Sequence, residues 1–135
     1  MLITSTMEFT LPIYMEIEKK TKKNQNIMLG LNWLRNAHHF ISNKIKHEFQ
    51  ELVLSQINSS VKYRKMNVIY KVYLKRTNAD GGNVRSVVEK FFLDALVKGG
   101  VIEDDSCEFV IGDSSVYAVD KENPRVEIIV HGEEL

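Results

Sequence analysis

At 135 residues the chain suffices for one compact core and is short for two domains, and 44% hydrophobic with 27% charged residues excludes general disorder. The single cysteine, Cys107, excludes an intramolecular disulfide, so a reducing compartment is the simplest expectation. The formal net charge of +0 hides an asymmetry: residues 1–76 hold 13 Lys and Arg against 5 Asp and Glu, a balance of +8, while residues 77–135 hold 5 against 13, or −8.

A basic half can neutralise phosphates and an acidic half can hold a divalent cation, which together suit an enzyme acting on a polyanion. Equally, the two halves can pair with each other across the fold. Charge alone leaves these readings even.

The N-terminal segment has no basic leader and meets Glu8 early, so it is a poor signal peptide, and no apolar run approaches membrane-spanning length. The expectation is a single cytoplasmic domain over residues 1–135, with no membrane partner. Residues 7–17 alternate through Phe9, Leu11 and Ile13 as a first strand, with Pro12 marking an edge or the strand's end. Residues 18–26, EKKTKKNQN, form a mobile basic loop carrying Lys19, Lys20, Lys22 and Lys23.

From Asn36 to Ile57 apolar residues recur at three- and four-residue intervals (Ala37, Phe40, Ile41, Ile45, Phe49, Leu52, Val53, Ile57), which predicts an amphipathic helix. Its outer face is expected to show His39, Asn43, Lys46, His47 and Gln50. The adjacent His38 and His39, if both helical, diverge by about 100°, so one packs and the other faces outward. Trp33 fits a core position, with stacking on an unpaired base as the alternative.

A strand follows within residues 59–76, setting Val68, Tyr70, Val72 and Leu74 against Ile69, Lys71, Tyr73 and Lys75. A second helix runs from Asn83, a good N-cap, to about Lys98, with Val84, Val87, Val88, Phe91, Ala95 and Leu96 as its buried stripe and Gly99–Gly100 as its stop. Two or three short strands then read from CEFVIG, SSVYAVD and RVEIIVHG, with Cys107 a small apolar residue at a strand start. The fold class is α/β (α+β): a small mixed sheet with two main helices packed on one face.

Carboxylates flank the second helix. Asp80 precedes it in a DGGN turn, and Glu103, Asp104 and Asp105 follow it. Hard cations such as Mg²⁺ take carboxylate oxygens, but Asp-Gly also satisfies an ordinary turn by itself. A helix of roughly sixteen residues is about 24 Å long. Asp80 and Asp105 therefore meet only if the acidic turn folds back or two chains assemble. On the helix, Glu89 is four residues from Arg85 and Lys90 four from Asp94, spacings that ordinary surface ion pairs explain.

The stretch from Asp80 through Asn83 and Lys90 to LDALVKGGVIEDD resembles the RusA family of Holliday junction resolvases, small dimeric endonucleases common in phages and prophages. That family's motif reads D-x-D-N, a helix with K and DAL, then glycine, apolar residues and a pair of aspartates. Asp80 and Asn83 match its first aspartate and its asparagine, Lys90 its lysine, and Asp104–Asp105 its terminal pair. The LNWLRNAHH segment, Leu31 to His39, is similar to the N-terminal signature of a phage-encoded branch.

The resemblance implies a homodimer that cuts four-way DNA junctions with Mg²⁺ or Mn²⁺, with Asp80, Lys90 and Asp105 catalytic. It further implies metal ligation by Asp80 and Asp105, with Asn83 in support. Gly82 stands where the family has its second aspartate, and the helix is about one turn longer before DAL. On chemical grounds Glu89 is the natural substitute ligand, with Asp104 the alternative; with neither, the protein binds branched DNA without cutting it. Lys19, Lys20, Lys22, Lys23, Arg35, Lys71, Lys75 and Arg76 are the candidates for phosphate contacts.

Overall fold

The computed structural model describes residues 2–135. In chain order the elements are β1 (Thr4–Pro12), β2 (Tyr14–Ile17), β3 (Gln25–Met28), α1 (Leu31–Asn36), α2 (His39–Ser55), β4 (Tyr63–Leu74), α3 (Gly81–Lys98), β5 (Val110–Val119) and β6 (Arg125–Glu134). The main sheet has the order β1-β6-β4-β5 and is mixed: β6 pairs antiparallel with both β1 and β4, and β4 pairs parallel with β5. A parallel pair needs a crossover, and α3 supplies it. Hence α3 runs opposite to β4 and β5.

The period-2 pattern of β4 decides which face is covered. Val68, Tyr70, Val72 and Leu74 are buried under the helices, while Ile69, Lys71 and Tyr73 lie on the other, uncovered face. Val126, Ile128 and Val130 of β6 and Phe9 and Leu11 of β1 complete the inner face. Phe92 of α3 meets Phe9 edge-on at 5.0 Å and Tyr70 at 6.3 Å, and Phe49 of α2 meets Phe91 at 5.9 Å. These rings lock both helices onto the sheet. The expected stripe of α3 is buried in full.

Several expectations need correction. Residues 7–17 form two strands, because the chain turns after Pro12 and Tyr14–Ile17 leaves the main sheet to pair with Gln25–Met28 in a separate hairpin. The basic loop is thus the hairpin tip, and its last two residues, Gln25 and Asn26, belong to β3. CEFVIG and SSVYAVD are one strand, since Gly112 continues the ladder beside Asn67. Cys107 lies exposed in the turn before it.

On α2 the buried set is Ile45, Phe49 and Val53 together with Gln50, whose amide donates to the Phe91 carbonyl at 3.1 Å and accepts from Lys98 at 2.9 Å. Lys46 also turns inward, reaching Asp94 at 2.8 Å. Both were expected outside. They instead line the seam with α3, where a polar side chain can satisfy the neighbouring helix. Phe40, expected on the apolar face, is 72% exposed at the helix start.

Candidate functional site

Asp80 caps α3. Its Oδ1 accepts from the Asn83 backbone N–H at 3.1 Å and its Oδ2 from the Asn83 side-chain amide at 2.7 Å. The helix starts at Gly81 rather than after Asn83, so the asparagine orients the carboxylate from inside the first turn. Gly81 leaves room for Tyr117 of β5: a Cβ would stand 2.4 Å from its ring, which would have to shift. Each carboxylate oxygen keeps a free lone pair after these bonds, so the exposed Asp80 can still take a cation.

Two clefts meet at Asp80. One, of about 410 Å³, is lined by Met28, Leu31, Trp33 and Asn83, and the other, of about 430 Å³, by Tyr14, Lys75 and Arg76. Lys75 lies over the Tyr14 ring at 4.1 Å, which holds its ammonium at the cleft mouth. Arg35 stands exposed in the last turn of α1. Further along, Lys19 and Lys20 of the hairpin tip border a cleft with Ile41 and Lys44 of α2. Lys71 lies elsewhere, on the uncovered sheet face, and Lys22, Lys23 and Arg35 line none of these clefts.

The two halves pair with each other only sparsely. Among the described residues, only Lys46 and Arg64 of the basic half pair with acids of the other half, to Asp94 and Glu133. None of Lys19, Lys20, Lys22, Lys23, Arg35, Lys71, Lys75 and Arg76 has an ion-pair partner there.

The other acids singled out in the sequence stand far from Asp80. Glu89 is nine residues into α3, about 13 Å along the axis, and Asp104 and Asp105 lie beyond its opposite end, more than about 25 Å away along the helix. Lys90 is exposed about 15 Å from Asp80 by the same measure. Among the described residues, no three His, Cys, Asp or Glu side chains gather to hold a cation. A single chain therefore offers Asp80 as one ligand with suitable oxygen chemistry and does not assemble a complete set.

Glu89 is engaged otherwise. Arg85 stands 3.4 Å from it and donates to Asp113 of β5 at 2.7 Å, over the face of Tyr70 at 4.8 Å. Burial is the largest influence on Arg85 and lowers its pKa, but the Asp113 hydrogen bond and the Glu89 charge outweigh it, so the net direction is upward. Tyr70 is pushed well above the usual phenol range, first by burial and then by Glu89. The guanidinium that claims Glu89 leaves it a poor stand-in for the motif's missing aspartate. Asp113 was invisible in the sequence, though strand alternation places it on the helix side beside Val68.

The histidines also depart from expectation. His38 precedes α2 in extended conformation and its Nδ1 accepts from the Phe40 N–H at 3.3 Å, so the 100° divergence of two helical neighbours does not apply. Both rings are exposed and stacked, 4.5 Å apart.

Among families of known proteins, the one described as endodeoxyribonuclease RusA matches residues 19–131. No curated protein matches the chain. The matched span starts at the hairpin tip and covers β3, every helix, β4, β5 and most of β6, and so includes both ends of α3.

Proposed function

The chain belongs to the RusA family of endodeoxyribonucleases, which resolve Holliday junctions, and on that premise we propose that it cuts four-way DNA junctions as a Mg²⁺- or Mn²⁺-dependent homodimer. Its setting is phage or prophage recombination and repair in the host cytoplasm. The observation that carries the reading is Asp80, an oriented carboxylate at the mouth of two clefts rimmed by unpaired cations and aromatic rings. Phosphodiester backbone brought to that rim is neutralised by Lys75, Arg76, Arg35 and the lysines of the hairpin tip.

Dimerisation supplies the second half of the site in this reading. β5 is an edge strand of ten residues with Ile111, Val116, Tyr117 and Val119 exposed, so it offers a free ladder and apolar surface to another copy. Two β5 strands paired antiparallel about a dyad near Ser114 and Ser115 place the two α3 helices side by side in opposite directions. Asp80 of one chain then lies at the end that carries Asp104 and Asp105 of the other. Charge favours the same pairing, because the end bearing Lys75 and Arg76 meets the end bearing Glu103, Asp104 and Asp105.

In that arrangement Asp80 and Asp105, with Asp104 as the third carboxylate, hold the cation, and Asn83 keeps Asp80 aimed. A bound cation supplies the Lewis acidity that polarises a phosphoryl oxygen and lowers the pKa of water. Lys90, about 15 Å along α3 from Asp80, would neutralise a phosphate of the bound backbone beside the site rather than at the reacting atoms. Two such sites related by the dyad cut opposing strands.

A second reading, a branched-DNA binder that does not cut, is favoured by Gly82 at the position of the motif's second aspartate and by the engagement of Glu89 with Arg85. One assay separates the two. Purified protein with Mg²⁺ or Mn²⁺ is expected to nick a synthetic four-way junction symmetrically, and Asp80→Asn to lower the rate about 10²- to 10³-fold. Tight junction binding with no cutting under either cation would establish the binder instead.

A further inference from the structure

The proposed junction substrate has base pairs at its branch point that lose a stacking neighbour when the arms open, and a different part of the molecule suits them. His38, His39 and Phe40 form a fan of three consecutive rings. Centroids lie 4.5 Å apart for His38–His39, 4.3 Å for His39–Phe40 and 5.2 Å for His38–Phe40, with interplanar angles of 25°, 37° and 27°. All three residues are exposed, and Phe40 takes no part in the core cluster. A lone exposed phenylalanine is unremarkable on a protein surface. Three adjoining rings, two of the three pairs stacked and the third tilted, with the His38 ring nitrogen bonded to the Phe40 N–H, make a continuous aromatic surface.

Its position points to nucleic acid. Leu54 of α2 packs at Gly99, near the end of α3, and Phe49 packs on Phe91 further up, so the two helices run in the same direction. The start of α2 is therefore at the same end of the molecule as Asp80. α1, which lines the Asp80 cleft through Leu31 and Trp33, leads directly into the fan. Arg35 and Lys44 flank it in sequence, and neither has an ion-pair partner among the described residues. Rings beside unpaired cations are the combination that binds unstacked bases while their phosphates are neutralised.

We propose that His38, His39 and Phe40 form a stacking platform that receives a base left unstacked at the branch point of the DNA substrate. The proposal rests on the junction-cutting reading above and adds to it a selectivity element: duplex arms have no free base to offer, so the platform favours branched over linear DNA. Trp33, closer to Asp80 but only half-buried against the core, is left to line the cleft.

Two measurements without divalent cation test this separately from catalysis. In the first, a four-way junction carrying 5-iodouracil at the branch nucleotides is irradiated with the protein, and cross-links are mapped. They are expected within residues 38–40 for branch labels and absent for labels in the arms. In the second, the ratio of junction to duplex affinity is measured for Phe40→Leu and for His38→Leu combined with it. The ratio is expected to fall about five- to thirty-fold with an unchanged salt slope, since stacking releases no counterions. Phe40→Trp should restore it. Unaltered thermal melting of these exposed-site variants confirms that folding is not the cause.

Cross-links confined to other residues, with the affinity ratio kept in Phe40→Leu, would overturn the platform while leaving the nuclease reading intact. A wild-type protein with no preference for the junction would overturn both.

Discussion

The two ends of α3 both carry carboxylates, in opposite settings. At the N-terminal end a single acid, Asp80, is held through both oxygens by Asn83 and ringed by Tyr14, Trp33, Lys75 and Arg76. At the C-terminal end four acids, Glu103, Asp104, Asp105 and Glu108, stand exposed after the Gly99–Gly100 stop, with no ion pair among the described residues. The number of acids is thus a poor guide to a site. Orientation and an adjoining cationic rim set Asp80 apart, while the acidic turn lacks anything of its own chain to act on.

What joins these ends is the rigid middle of the helix. The largest expected effect comes from breaking it: Phe91→Ala removes a ring buried between α2 and the sheet, and should lower unfolding free energy by about 3–5 kcal/mol in a denaturant titration. Both ends then lose their placement together. A smaller loss would mean that the helix is held chiefly by other contacts.

Smaller changes act on one end alone. Replacing Lys75 and Arg76 by Ala should weaken junction binding several-fold and reduce the salt slope by about one to two, because each phosphate contact releases close to one counterion. Glu103→Gln, at the opposite end, should leave that slope unchanged. Equal effects from the two would erase the distinction between the ends.

The smallest effect separates two roles of Asp80. As an N-cap, Asp80→Ala should cost about 1 kcal/mol of stability, whereas Asp80→Asn, a comparable cap, should melt near the wild type while losing cleavage. If Asp80→Asn lost stability and activity in proportion, the carboxylate would be structural only.

How far this was legible in the sequence varied with the range of the interaction. The stripe of α3 and the alternation of β4 were readable, since each depends on a local period that burial then reinforces. The β2–β3 hairpin was not, because the turn after Pro12 hides inside an alternation that continues through it. Gln50 and Lys46 looked like surface residues because their partners, the Phe91 carbonyl and Asp94, lie more than forty positions away. At the site, Asp80 and its asparagine could be found from the motif. The engagement of Glu89 by Arg85 was visible as a spacing, but Asp113, which fixes that arginine, enters from β5 through tertiary pairing alone.

The central claim, a junction nuclease whose site is shared between two chains, is tested most directly by mixing two impaired variants. Asp80→Asn and Asp105→Asn are each expected to lower nicking of a four-way junction with Mg²⁺ about 10²- to 10³-fold. Co-refolded in equal amounts, they form mixed dimers in which one site recovers both native carboxylates, so about a quarter of the wild-type sites should return. Activity that stays that low on mixing, with subunit exchange confirmed by differential tags, would contradict the shared site, and activity retained by either variant alone would contradict the assignment of that aspartate.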